Sequence, residues 1–185
     1  MGRDKKRGPD VRAGGEIRLE VIELIQDAIA RGTPFTFRAL GGSMFPIIPG
    51  GTEVTVERID RLPPPLGTIC VALRGGRLFC HRLVEVRETP GEPRLYILRG
   101  DSHRLADEPF SEADIVGRVT ALRYGPVRLS ADTPLLAAAG KLWMRFPAQA
   151  IAATRLGWMM TWPARKAVRA LVRLLDLAGH GHEDH

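Results

Sequence analysis

"ICVALRGGRLFCHRL", residues 69–83, is the stretch on which the fold turns. Two apolar-rich runs flank Gly75-Gly76, a two-residue loop of the kind that favours φ > 0 at both positions of a tight hairpin turn. With that loop as the turn, Arg74 pairs with Arg77, Val71 with Cys80 and Cys70 with His81. Side chains alternate across a strand, so Cys70 and His81 share one face while Cys80 lies on the other. The two cysteines are therefore expected not to bond to each other. Nor do the neighbours Cys80 and His81 form a dyad.

The same period-two pattern runs outward over residues 35–124, in "FTFRAL", "EVTVERI", "TICVALR", "RLFCHRLVEVRE", "RLYILRG" and "DIVGRVTALRY". Pro, Gly and Asp punctuate it, as in "RLPPPLG" and "ETPGEP". Short strands at this spacing predict a mainly β domain, either a barrel or a folded sheet. Before it, residues 16–31 carry Ile17, Val21, Leu24, Ile25 and Ala28 at helical spacing, with Gly32 as the stop. Past Pro134 the pattern is helical again, broken at Gly140, Pro147, Gly157 and Pro163. The chain thus divides into a disordered basic start (1–15), a β domain with its leading helix (16–130) and a helical basic extension (131–185).

A chain of 185 residues, 44% of them hydrophobic, supplies one core rather than two. The net charge of +6 sits at the ends: "MGRDKKR" opens the chain, and from Lys141 onward seven basic residues face three acidic ones. In residues 164–178 the residues Ala164, Ala167, Val168, Leu171, Leu174, Leu175 and Ala178 form one stripe, with Arg165, Arg169 and Arg173 on or near the other side. Such a helix suits an anionic membrane surface, engaged through 141–178, or packing on the β domain or a partner. No specific nucleic-acid partner is expected. No signal peptide is visible, no uncharged apolar run of about 18 residues occurs, and two cysteines make no disulfide framework. A cytoplasmic protein is expected, peripheral at the inner membrane face if the extension binds lipid.

The chemistry concentrates in three places. "RALGGSMFPIIPGG", residues 38–51, sets Ser43 between glycines and a proline-bracketed apolar run. Gly41 and Gly42 allow a sharp corner and close approach of a substrate strand. The amide of Ser43 can then face a developing oxyanion, and Met44 and Pro46 anchor the corner by packing. Taken alone, a serine in such a loop reads as a turn residue. His81, in an apolar strand, is either a general base or a half-buried histidine satisfied by a carbonyl. "GDSHRLADE" offers Asp101 and Asp107 to orient a base, and the residues alone do not separate them. His103 is a rival base or a solvated loop residue. Cys70 is a small apolar neighbour of His81 or a thiol whose oxidation perturbs it. His180, His182 and His185 lie in a tail too loose for a metal site, and no cofactor is expected.

Four segments in order, "GGSMFPIIPGG", "FCHRLVEV", "LRGDSHRLADE" and "DIVGRV", resemble the motifs of type I signal peptidases and LexA-like serine peptidases. Within that superfamily the likeness is to the variant with histidine as base, as in endoplasmic-reticulum and archaeal signal peptidases. The resemblance spans residues 35–124 and implies that superfamily's folded β-sheet or barrel. It implies a serine endopeptidase with Ser43 as nucleophile, His81 as base and Asp107 as the triad acid, Asp101 being a second required aspartate. It also implies an extended peptide or protein substrate with small residues before the cut, added as a strand to a sheet edge.

Three departures stand out. Gly41 replaces the hydroxyl residue that signal peptidases carry two before the nucleophile, where it helps form the oxyanion hole, although LexA-like proteins also have glycine there. Gly50-Gly51 replaces Gly-Asp after the corner. A helix, 16–31, replaces the membrane anchor. Two other functions fit the same residues. One is a degenerate domain that holds a peptide without cutting it. The other is a self-cleaving regulator with Ala13-Gly14 as its bond, though no helix-turn-helix precedes the site.

Overall fold

The Gly75-Gly76 hairpin sits at the centre of one antiparallel sheet in the computed structural model, which describes residues 19–133 together with Leu136, Gly140 and Met144. Strands β3 (Ile69–Arg74) and β4 (Arg77–Arg87) pair in the expected register: Arg74 with Arg77, Val71 with Cys80, and Cys70 with His81. Gly75 and Gly76 have φ of 56° and 73°, the left-handed conformation that a side chain disfavours.

Around the hairpin lie α1 (Leu19–Ala30), β1 (Phe35–Arg38), β2 (Glu53–Glu57), β5 (Leu95–Arg99), β6 (Phe110–Ser111), β7 (Ile115–Tyr124) and β8 (Val127–Ser130). The order across the sheet is β1-β2-β7-β3-β4-β5-β6, with β8 beside β7. The path is open. Of the two expected architectures, a folded mainly β sheet is the one formed, and a closed barrel is not. Register shifts interrupt the pairing at Thr55/Val56, Val71/Ala72 and Leu83/Glu85, the kind of irregularity that bends a strand.

Alternation along the strands feeds two cores. One gathers Phe37, Val54, Val56, Val71, Val119 and Leu122 with Ile25 and Ile29 of α1. The other gathers Cys70, Ala72, Leu83, Tyr96, Leu98 and Phe110. Helix α1 buries Ile22, Ile25 and Ile29, whereas Leu24, expected on the inner stripe, is 60% exposed. At 100° per residue Leu24 lies two positions, or 200°, from Ile22, on the far side of the helix. Strands β6 and β8 carry no sequence signal of their own. β8 is exposed at all four residues, and β6 is only two residues long, so neither shows an alternating face.

The basic start, the Ala13-Gly14 bond, the tail histidines and nearly all of the extension lie outside the described residues. No helix among the described residues is long and apolar enough to cross a membrane.

Candidate active site

Ser43 follows β1 on a corner whose apolar residues are driven into the first core. Met44 and Ile48 are buried there, and the Ile48 amide donates to the Met44 carbonyl at 2.9 Å. Pro46 is half-buried beside them, while Gly41 and Gly42 are exposed. The base of the corner is closed by backbone bonds. The Ala39 amide donates to the Thr52 carbonyl at 2.9 Å and the Gly51 amide to the Ala39 carbonyl at 2.6 Å. The buried Thr52 hydroxyl donates to the Pro49 carbonyl at 2.7 Å, and the Tyr124 hydroxyl donates to the Ile47 carbonyl. A corner without an acidic residue at position 51 is thus held by Thr52 and Tyr124 instead.

The first half of β4 pairs with β3 and its second half with β5, and His81 stands one residue before Arg82, where the two pairings meet. Its imidazole is buried, with the Phe79 ring edge-on at 6.1 Å and the His103 ring edge-on at 5.4 Å. His81 Nε2 lies 2.9 Å from Ser43 Oγ, and Nδ1 lies 2.6 Å from Asp107 Oδ2. A carboxylate only accepts hydrogen bonds, so Nδ1 carries the proton and the Nε2 lone pair faces the serine hydroxyl. That is the tautomer a general base needs. Asp107 is itself tethered, its amide donating to the Leu98 carbonyl of β5 at 2.8 Å.

The two aspartates therefore separate. Asp107 meets the imidazole, while Asp101 forms a two-pronged ion pair with Arg82, both contacts at 2.7 Å. Arg82 is 3% exposed and Asp101 4%, and Arg82 Nη1 also donates to the Gly67 carbonyl at 2.7 Å. Because side chains alternate, consecutive residues of β4 serve different ends: His81 faces the serine, and Arg82 fixes the loop that follows β5.

That loop contains what the sequence reading passed over. Ser102 donates twice toward the corner, its amide to the Ser43 carbonyl at 2.8 Å and its single hydroxyl proton to a site shared between the Gly42 and Ser43 carbonyls, at 2.9 and 3.0 Å. Gly100 is the residue that lets the two loops touch, since a Cβ there would lie 2.7 Å from the Ser43 carbonyl oxygen. The signal was the tripeptide Gly100-Asp101-Ser102 itself, but nothing local shows that its hydroxyl points at a loop 59 residues away in the chain.

The outsiders take minor parts. Burial and the neighbouring His81 hold the His103 imidazole below its usual pKa, partly offset by Asp107, and its ring lies edge-on to His81. Burial pushes the Cys70 thiol up to about 12, which makes it a small apolar neighbour rather than a reactive group. Among the described residues no cluster of His, Cys, Asp and Glu has the arrangement of a metal site. Beside Asp107, residues His103 to Ala106 line an open cleft in which Leu105 is 83% exposed.

Ser43, His81 and Asp107 thus lie in one hydrogen-bonded line, the arrangement that a nucleophile, a base and an orienting acid require. Comparison of the chain with protein-family models and with curated proteins finds no match to either.

Proposed function

We propose that this protein is a serine endopeptidase acting through Ser43, His81 and Asp107. The observation that carries this reading is the unbroken chain from Ser43 Oγ to His81 Nε2 and from His81 Nδ1 to Asp107 Oδ2, at 2.9 and 2.6 Å. As the hydroxyl attacks a peptide carbonyl, His81 takes its proton and Asp107 steadies the imidazolium. The same proton then passes to the leaving amine, and water repeats the sequence on the acyl-enzyme. By its resemblance to signal peptidases and LexA-like peptidases, the substrate is an extended segment with small residues before the cut.

A fluorophosphonate probe tests this directly. Mass spectrometry is expected to find the adduct on Ser43 in the wild type and no adduct in Ser43→Ala. A silent wild type would favour the peptide-holding alternative, for which the missing hydroxyl at Gly41 speaks.

Gly41 also offers a gain-of-function test. Nothing lies within 4 Å of where its Cβ would sit, and its φ is not positive, so a side chain fits without strain. Gly41→Ser is expected to add a donor near the oxyanion and to raise kcat roughly tenfold, a fraction of what one preorganised donor contributes elsewhere. An unchanged or lower kcat would show that the oxyanion is served from another direction.

A further inference from the structure

The serine corner lacks a hydroxyl at position 41, so oxyanion stabilisation falls to backbone, and backbone must be aimed. The Ser43 amide has no hydrogen-bond acceptor among the described residues. It shares a planar peptide with the Gly42 carbonyl, and in a trans peptide N–H and C=O point in opposite directions. Whatever fixes the Gly42 carbonyl therefore fixes the Ser43 N–H. That carbonyl accepts from the Phe45 amide at 3.0 Å and from the Ser102 hydroxyl at 2.9 Å. The next carbonyl, of Ser43 itself, accepts from both the amide and the hydroxyl of Ser102. Ser102 thus grips the peptide planes on both sides of the nucleophile and turns the Ser43 N–H away from its own loop.

We infer that Ser102 is a positioning residue for oxyanion stabilisation: its hydroxyl locks the peptides flanking Ser43 so that the Ser43 amide stays unpaired and oriented for a developing negative charge. This inference rests on the peptidase reading and goes beyond it, because Ser102 touches no member of the Ser43–His81–Asp107 line through its side chain except the Ser43 backbone. The device does for this chain what a hydroxyl at position 41 does in signal peptidases, by holding a donor rather than by supplying one. Preorganised donors are effective because they need not reorient as charge develops, so loosening one acts on the transition state and leaves substrate binding alone.

The test compares full-length wild type, Ser102→Ala and Ser102→Thr with a fluorogenic peptide and a peptide boronic acid, both with alanine at the position before the cut. The boronic acid accepts a bond from Ser43 Oγ to boron, the hydroxyl proton passes to His81, and the adduct is an anionic tetrahedron. Ser102→Ala is expected to lower kcat and boronate affinity together, roughly ten- to hundredfold, with KM unchanged. Ser102→Thr, which keeps the hydroxyl, is expected to restore both. The Ser43 amide resonance, followed by NMR in the boronate-free protein, is expected to shift in Ser102→Ala.

Unchanged kcat and boronate affinity in Ser102→Ala would overturn the inference while leaving the peptidase reading intact. Loss of kcat and KM together, without rescue by threonine, would reduce Ser102 to a structural residue. A wild type that neither cleaves nor binds boronate would end both readings, and an unmoved Ser43 resonance would refute the aiming role whatever the activity.

Discussion

Asp107→Asn is expected to lower kcat by roughly 10⁴-fold while leaving the melting temperature close to that of the wild type. The size follows from what the carboxylate does at 2.6 Å from His81 Nδ1. It selects the tautomer whose Nε2 faces Ser43, and in the proposed reaction it would stabilise the imidazolium formed during attack. An asparagine amide can donate to Nδ1, which moves the ring proton to Nε2 and leaves Ser43 without a base. The neighbouring His103 offers no substitute, since its ring meets His81 edge-on at 5.4 Å. Asp107 is 16% exposed in its side chain and belongs to a loop, so little packing is lost. Steady-state kinetics beside a thermal melt would check this. A fall in kcat of less than about tenfold would remove Asp107 from the machinery.

Asp101→Ala should have the opposite profile, a large loss of stability that takes activity with it. The substitution leaves the Arg82 guanidinium buried with only the Gly67 carbonyl as a described partner. Removing one member of a buried ion pair costs about 3–5 kcal/mol. For a chain of this size that lowers the melting temperature by about 10 °C. The cost arises from the charge left behind, so replacing both partners, Arg82→Met with Asp101→Leu, should recover much of it. Urea denaturation of the single and double variants would show this. A single variant within about 1 kcal/mol of wild type, the value of an exposed pair, would mean that Arg82 finds water or another partner. The double variant should regain stability without regaining full turnover, because Asp101 also holds the loop from which Ser102 reaches the corner.

These two aspartates mark the limit of what the chain reveals when read in one dimension. Six residues apart in one acidic loop, they carry no local difference that assigns one to the imidazole and the other to a guanidinium. The structure separates them through β4, where His81 and Arg82 point to different sides and each takes its own acid. Ser102 escaped notice for a related reason: serine in a turn is commonplace, and its significance lies in a contact with Gly42 and Ser43. The helix was legible as a helix but not in its facing. Val21, Leu24 and Ile25 fit a stripe as well as Ile22, Ile25 and Ile29 do, and only the sheet beneath selects between them.

What the sequence determined by itself is local and periodic: a glycine turn that sets a six-pair hairpin register, alternating strands around it, a helix before them, and the residue types that a serine nucleophile and its base require. Those features rest on backbone dihedrals and side-chain alternation, which act between near neighbours. Tertiary structure alone decided that the sheet stays open, which aspartate meets His81, and that Gly100 and Ser102 close on the serine corner. Each of these is a contact between segments distant in the chain. Its energy comes from excluding water and matching donors to acceptors across the fold, which no local pattern of residues encodes.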